Sequence, residues 1–217
     1  MGDRYPGYDV LSKRHSPSWN DQTRRVIDQR LAIDPDAHRF LNELEWRTLK
    51  AICSRIIPQP TARERPAPLA AMIDERLVKG ASDGYRNASL PPLREAWRRG
   101  LAALEAEAQT RHGRGFAELE GAAQDGLLTA AQRGLAAHPA WDGMPPDLFF
   151  ADRLLFDIVS AYYAHPHAWN EIGFGGPADP RGYVRLAFDR RDPWEAAEAR
   201  SGNEASARRE NAHVGRR

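Results

Sequence analysis

Cysteine is almost absent from this sequence: Cys53 is the only one in 217 residues. A single thiol excludes an internal disulfide framework and any Cys-rich zinc or iron–sulfur centre. Net charge is equally small. The 31 Lys and Arg against 30 Asp and Glu leave a formal +1, which supplies no general field toward nucleic acid or an acidic membrane. Long apolar runs are lacking too. The best stretch, Leu148 to Tyr163, is broken by Asp152, Arg153 and Asp157, short of the ~18 apolar residues of a membrane span. No useful strand alternation and no internal repeat occur. There is no Gly-x-Gly-x-x-Gly, P-loop, Gly-x-Ser-x-Gly or zinc-protease helix. Gly173-x-Gly175-Gly176 runs into Pro177 and cannot open a phosphate-binding helix in the required way. The first forty residues lack the basic start and apolar stretch of a secretory signal. The Arg24–Arg25 pair is followed by charged residues every few positions, so it reads as solvated charge. The expected location is the cytoplasm, with the periplasm reached only by export together with a partner.

What is present is helix pattern punctuated by 16 prolines. Leu49, Ile52, Cys53 and Ile56 fall at i, i+3, i+4 and i+7 and form one apolar stripe, in a helix starting near Leu41–Asn42 and stopped by Pro58 and Pro60. Cys53 lies in that stripe and reads as a small buried hydrophobe. A second helix follows Pro66 and Pro68, with Leu69, Met72, Ile73 and Leu77 inward and Gly80 at its end. A third follows Pro91–Pro92 and carries Trp97, Leu101 and Leu104 as far as Gly113. Shorter pieces begin at Phe116 and around Leu127, the latter with Leu128, Ala131 and Leu135 inward and Asp125 as its cap. Asp147 to Ala164 is apolar over more than half its surface and reads as the central helix. The pattern predicts an all-α fold, an irregular bundle of five to seven helices over residues 38–165.

The ends differ. Residues 1–37 read as an extended arm with a short helix near Thr23–Leu31, bearing Tyr5, Tyr8 and Trp19. Residues 166–194 are rich in Gly and Pro but carry Trp169, Phe174, Tyr183 and Trp194, which marks an ordered irregular segment. Residues 195–217 turn to Ala, Glu, Arg, Ser and Asn and are expected to be disordered. The aromatics of the two ends, Tyr8, Trp19, Trp169, Phe174, Tyr183 and Trp194, are the candidate partner contacts. Their bland alternative is packing on the chain's own helices.

Catalytic constellations are thin. His165 and His167, with Glu171 four residues on and Asp147 as a further carboxylate, form the one candidate metal group. They support a rival reading as an autonomous metal-dependent helical enzyme. Asp147, Asp152 and Asp157 are five apart and diverge around a helix at about 100° per residue. They form no bridging-carboxylate pattern, but serve a polar face or pair with Arg153 and other basic groups. By residues alone, a binding subunit without catalytic residues of its own fits better than an enzyme. A ligand-binding domain is a third reading and requires a closed apolar cavity between helices.

Two stretches carry a family resemblance. Phe40-Leu41-Asn42-Glu43-Leu44-Glu45-Trp46 through Ile56-Ile57-Pro58 is one. Phe149-Phe150 through Tyr162-Tyr163-Ala164-His165-Pro166, then Trp169, Gly173, Gly175-Gly176-Pro177 and Arg181-Gly182-Tyr183, is the other. With Pro68–Leu77 and Gly115-Phe116 between them, about residues 39–185 resemble the gluconate 2-dehydrogenase subunit 3 family. The resemblance implies a small accessory subunit of a sugar or alcohol dehydrogenase complex. Its large partner would be an FAD-dependent flavoprotein of the glucose–methanol–choline type, and a cytochrome c subunit can take the electrons. The small subunit would support folding, stability or maturation of the flavoprotein, with FAD held by the partner and no cofactor bound by this chain. Many members begin with a twin-arginine signal. This sequence begins with its Tyr/Trp-bearing arm, which favours a cytoplasmic complex.

Overall fold

The computed structural model describes residues 3–60, 66–80, 84, 87–177 and 194–214. The described residues are mostly helical, with no strand among them, so the all-α expectation holds. The chain divides into two compact units, Asp34–Tyr162 on one side and Met1–Ile33 with Tyr163–Arg217 on the other.

The first unit to consider is Asp34–Tyr162. Its opening helix α2 (Glu43–Ile56; α1 belongs to the other unit) starts where Asn42 accepts from Glu45 N at 2.9 Å and Glu45 accepts from Asn42 N at 2.9 Å. This reciprocal cap satisfies two donors that would otherwise be orphaned. Just before it, the buried carboxylate of Asp74, in α3 (Leu69–Lys79), accepts from the backbone N–H groups of Arg39, Phe40 and Leu41 at 2.7, 3.0 and 2.9 Å. One acidic side chain thus fixes the entry to α2. Helix α3 ends at Gly80 in the left-handed conformation, and Arg94 of α4 (Leu93–His112) donates to its last carbonyls, Leu77 and Val78.

Helix α4 supplies the centre of the core through buried Trp97, Leu101 and Leu104. Gly100 lies on the same side because Phe149 occupies its side-chain space: a Cβ there would stand 2.0 Å from the Phe149 ring. The ring meets Trp97 and Trp141 edge to face at 5.9 and 5.8 Å, a preferred aromatic geometry. Helix α5 (Gly121–Gln132) buries Leu127, Leu128 and Ala131. Two expectations about it fail. Gly134 turns the chain before Leu135, which is exposed, and Asp125 sits inside the helix in a fork with Arg55 at 2.7 and 2.5 Å.

The long helix runs as α6 (Pro146–Phe149), a π-helical turn (Phe150–Leu155) and α7 (Phe156–Ala164). It is not buried all round: Leu155 and Phe156 are 41% and 49% exposed. Asp157 instead points inward. It accepts from Trp97 Nε1 at 2.8 Å and pairs with Arg76 at 3.0 Å and Arg153 at 3.7 Å. Glu107 of α4 is a second buried acceptor, taking His138 N at 2.8 Å and pairing with Arg111 at 2.9 Å. Burial works to raise its pKa. The His138 and Ala137 N–H groups, Arg111 and Trp141 outweigh burial and hold the carboxyl below its usual value.

The second unit is built from both chain ends. It holds a 3-10 turn (Val10–His15), α1 (Asp21–Leu31), α8 (Pro166–Ile172) and α9 (Glu204–Asn211). Tyr8, Val10, Trp19, Ile27, Trp169, Ala196 and Val214 make one buried cluster. The expected extended arm is therefore a folded part of a core. The expected disordered tail includes α9, whose Asn211 is buried and fully bonded. Both differences have one cause: the contacts join residues some two hundred positions apart, which local composition does not report. The Arg24–Arg25 pair is engaged within α1. Arg24 donates to Arg14 O at 2.8 Å and Asp21 at 2.7 Å, and Arg25 to Asp21 O at 3.3 Å.

Candidate interaction surface

In the second unit, His165 and Pro166 start a helix where an irregular segment was expected. The His165 side chain accepts from His167 N at 3.4 Å, Pro166 takes the first helical position, and Gly173 closes the helix with a positive φ of 66°. Pro at the start and a left-handed Gly at the end are the regular punctuation of a helix.

Trp169 is the hub of the surface. Its ring is buried in the cluster, and its Nε1 donates to Tyr163 O at 2.6 Å. The turn after Gly173 folds back over it. Phe174 N donates to Trp169 O at 3.0 Å, and the Phe174 ring stands edge-on to the indole at 5.6 Å. From the N-terminal segment, Tyr8 Oη donates to Phe174 O at 3.2 Å, and the buried Lys13 ammonium donates to Gly175 O. The glycines permit this approach. A Cβ on Gly173 would meet the Tyr5 ring at 2.4 Å, and one on Gly176 would meet Val10 and Trp19 at 3.1 and 3.2 Å.

Three large apolar side chains are left facing out around Trp169: Tyr163, Ile172 and Phe174, exposed by 46, 44 and 39%. Tyr163 lies near the end of α7, Ile172 ends α8, and Phe174 sits in the pinned turn, so these side chains are held in place before anything binds them. Such exposed clusters mark interaction sites more often than isolated apolar residues do.

Of the six aromatics singled out in the sequence, Tyr8, Trp19 and Trp169 are buried within their own unit and present no free face. Trp194 is half-buried against the same cluster. Phe174 is exposed, and Tyr183 lies outside the described residues. Tyr163 and Ile172 were not singled out. Tyr163 looked like core of the long helix and Ile172 lay in a segment read as irregular, and only the tertiary packing shows which side of each remains open.

The chemical alternatives fare differently. His165 is buried and meets His167 edge to face at 4.8 Å, while Glu171 is on the exposed side and Asp147 belongs to the other unit. Among the described residues, no group of three or more His, Cys, Asp or Glu is placed to hold a metal ion. The glycine run is closely approached by Tyr5, Val10 and Trp19 and ends a helix rather than opening one, as its sequence implied. It does not fit a nucleotide cofactor.

In unit Asp34–Tyr162, an open cleft of about 430 Å³ is lined by Lys50, Cys53, Ser54, Pro58, Gln59 and Pro68, among others. Burial pushes the Cys53 thiol far above its ordinary pKa, the reverse of what a nucleophile requires. Lys50 is paired with Asp36 at 2.8 Å, and Ser54 Oγ donates to Lys50 O at 3.0 Å. The cleft is not the closed apolar cavity that a ligand-binding domain would need.

A family model described as gluconate 2-dehydrogenase subunit 3 matches residues 43–176, from the first turn of α2 to the end of the pinned glycine turn. No curated protein and no solved structure matches the chain. Among the described residues, no helix is long and apolar enough to cross a membrane.

Proposed function

The chain belongs to the gluconate 2-dehydrogenase subunit 3 family, and on that premise we propose that it is a non-catalytic accessory subunit that stabilises the FAD-dependent large subunit of a sugar or alcohol dehydrogenase. FAD belongs to the large subunit in this reading, and a cytochrome c subunit is a possible third member. The observation that carries the reading is the patch of Tyr163, Ile172 and Phe174, held around Trp169 within the family-matched residues. Aromatic anchors on a preformed surface dominate binding energy because little conformational freedom is lost on docking. The complex is proposed to be cytoplasmic. The engagement of Arg24 and Arg25 inside α1 supports this, and cell fractionation of the assembled complex checks it.

The test is co-expression with the cognate flavoprotein. Phe174→Asp and Tyr163→Asp each place a charge at a half-exposed position; the subunit alone should stay folded, with a modest fall in thermal midpoint for Phe174→Asp, whose ring packs against Trp169. Recovery of the flavoprotein in the complex should fall at least tenfold. Undiminished recovery with both variants would show that this patch is not the docking surface. A flavoprotein equally soluble and active without this chain would remove the accessory role itself.

A further inference from the structure

We propose that residues 194–214 are a detachable clasp, closing over the N-terminal segment of their own unit and opening as one piece while unit Asp34–Tyr162 stays folded. Polar contacts tie the clasp to the N-terminal segment. Its buried apolar side chains are three alanines and one valine, Ala196, Ala197, Ala207 and Val214, with Trp194 half-buried. The large members of the cluster, Tyr8, Trp19, Ile27 and Trp169, come from segments outside it. Since apolar stabilisation follows buried area, alanine contacts hold the clasp more weakly than the rings beneath it hold one another.

Asn211 is the lock. Its Oδ1 accepts from Ala197 N at 2.7 Å, and its Nδ2 donates to Ala197 O at 3.1 Å and to Pro6 O at 3.0 Å. One buried amide therefore folds the clasp on itself and ties it to the first residues. A second tie runs from Ala199 N to Arg4 O at 2.8 Å, flanked by the exposed Arg4–Glu198 pair at 2.6 Å. By contrast, Val10 N donates to Asn170 Oδ1 at 2.8 Å, a bond independent of the clasp. Opening thus frees Arg4 and Pro6 while the 3-10 turn stays attached to α8. It also uncovers Tyr8, one of the aromatics the sequence marked for a partner. The clasp lies beyond the matched residues 43–176.

Segments with few buried apolar contacts open locally, and amide hydrogen exchange reads that opening. On the full chain, peptides within 194–214 should exchange at least tenfold faster than those of α4, with the Arg4–Tyr8 peptide exchanging in step. Asn211→Ala should speed both by a further tenfold or more and leave α4 unchanged. The proposal is overturned if 194–214 exchanges as slowly as α4, or if it opens without loosening Arg4–Tyr8. It is also overturned if Asn211→Ala speeds α4 by the same factor. Should that variant not fold, the comparison within the native protein decides alone.

Discussion

Gly100→Ala puts the packing of α4 to a direct test. In a free helix interior the change stabilises by about 1 kcal/mol, because alanine is the better helix former. Here the new Cβ would stand 2.0 to 2.4 Å from three atoms of the Phe149 ring, far inside van der Waals contact. The ring has little room to retreat, since it is fully buried and set edge to face against Trp97 and Trp141. Overpacking of this kind costs typically 1–3 kcal/mol, and such a severe overlap belongs at the upper end. Subtracting the helix gain leaves a net loss of about 2 kcal/mol, or roughly 4–8 °C in midpoint for a chain of this size. Urea unfolding followed by far-ultraviolet circular dichroism measures it. The sharper experiment adds Phe149→Leu, which removes the ring. In that background Gly100→Ala should lose most of its penalty, a coupling of about 1–2 kcal/mol. A Gly100→Ala protein as stable as the parent, or strictly additive effects, would refute the argument.

Three further outcomes follow from the buried polar groups. Asp157→Ala leaves Arg76, Arg153 and Trp97 Nε1 without their shared acceptor and should lose about 3 kcal/mol in urea unfolding; a loss under ~1 kcal/mol would mean that water replaces the carboxylate. Glu107 has its folded pKa held down, so its contribution is fully present above the unfolded value near ~4.3 and is lost as pH falls through the folded value. Glu107→Gln should therefore flatten the acid limb of the stability curve below about pH 4.3, and an unchanged slope would count against the assigned bonds. Cys53 is buried and its thiol is pushed up by that burial, so a maleimide should label it only at the rate of unfolding; stoichiometric labelling of the native chain within minutes would contradict the burial.

The helices of unit Asp34–Tyr162 were legible because their signals are local. Asn42 caps α2, Pro68 and Pro92 precede α3 and α4, and Gly80 and Gly113 close them. The stripe of Leu49, Ile52 and Cys53 is buried as its spacing implied. The carboxylates were harder to read. Asp74, Asp157 and Glu107 look like surface charges in sequence, and their partners Arg39, Trp97 and His138 lie 35, 60 and 31 positions away. The candidate surface was partly legible. Phe174 stood out as an aromatic in a glycine-rich turn, but the closeness of Tyr5, Val10 and Trp19 to those glycines comes from pairing the chain's two ends. No local pattern encodes that pairing. It is also why an alanine-rich segment resembled a loose tail and became a folded one.

The π-helical turn at Phe150–Leu155 sets the phase of everything after it. A π turn encloses one residue more than an α turn, so the helix beyond it is rotated by about 100° relative to an uninterrupted α-helix. That phase brings Asp157 to Trp97 and leaves Phe156 facing out. Losing one residue from Phe150–Leu155 would let the helix relax to a plain spiral and would reassign every later side chain. The acid would swing from its arginines toward solvent, and a neighbouring face would turn inward. The choice between inside and outside for this stretch is therefore set by the number of residues in one turn as well as by which residues they are.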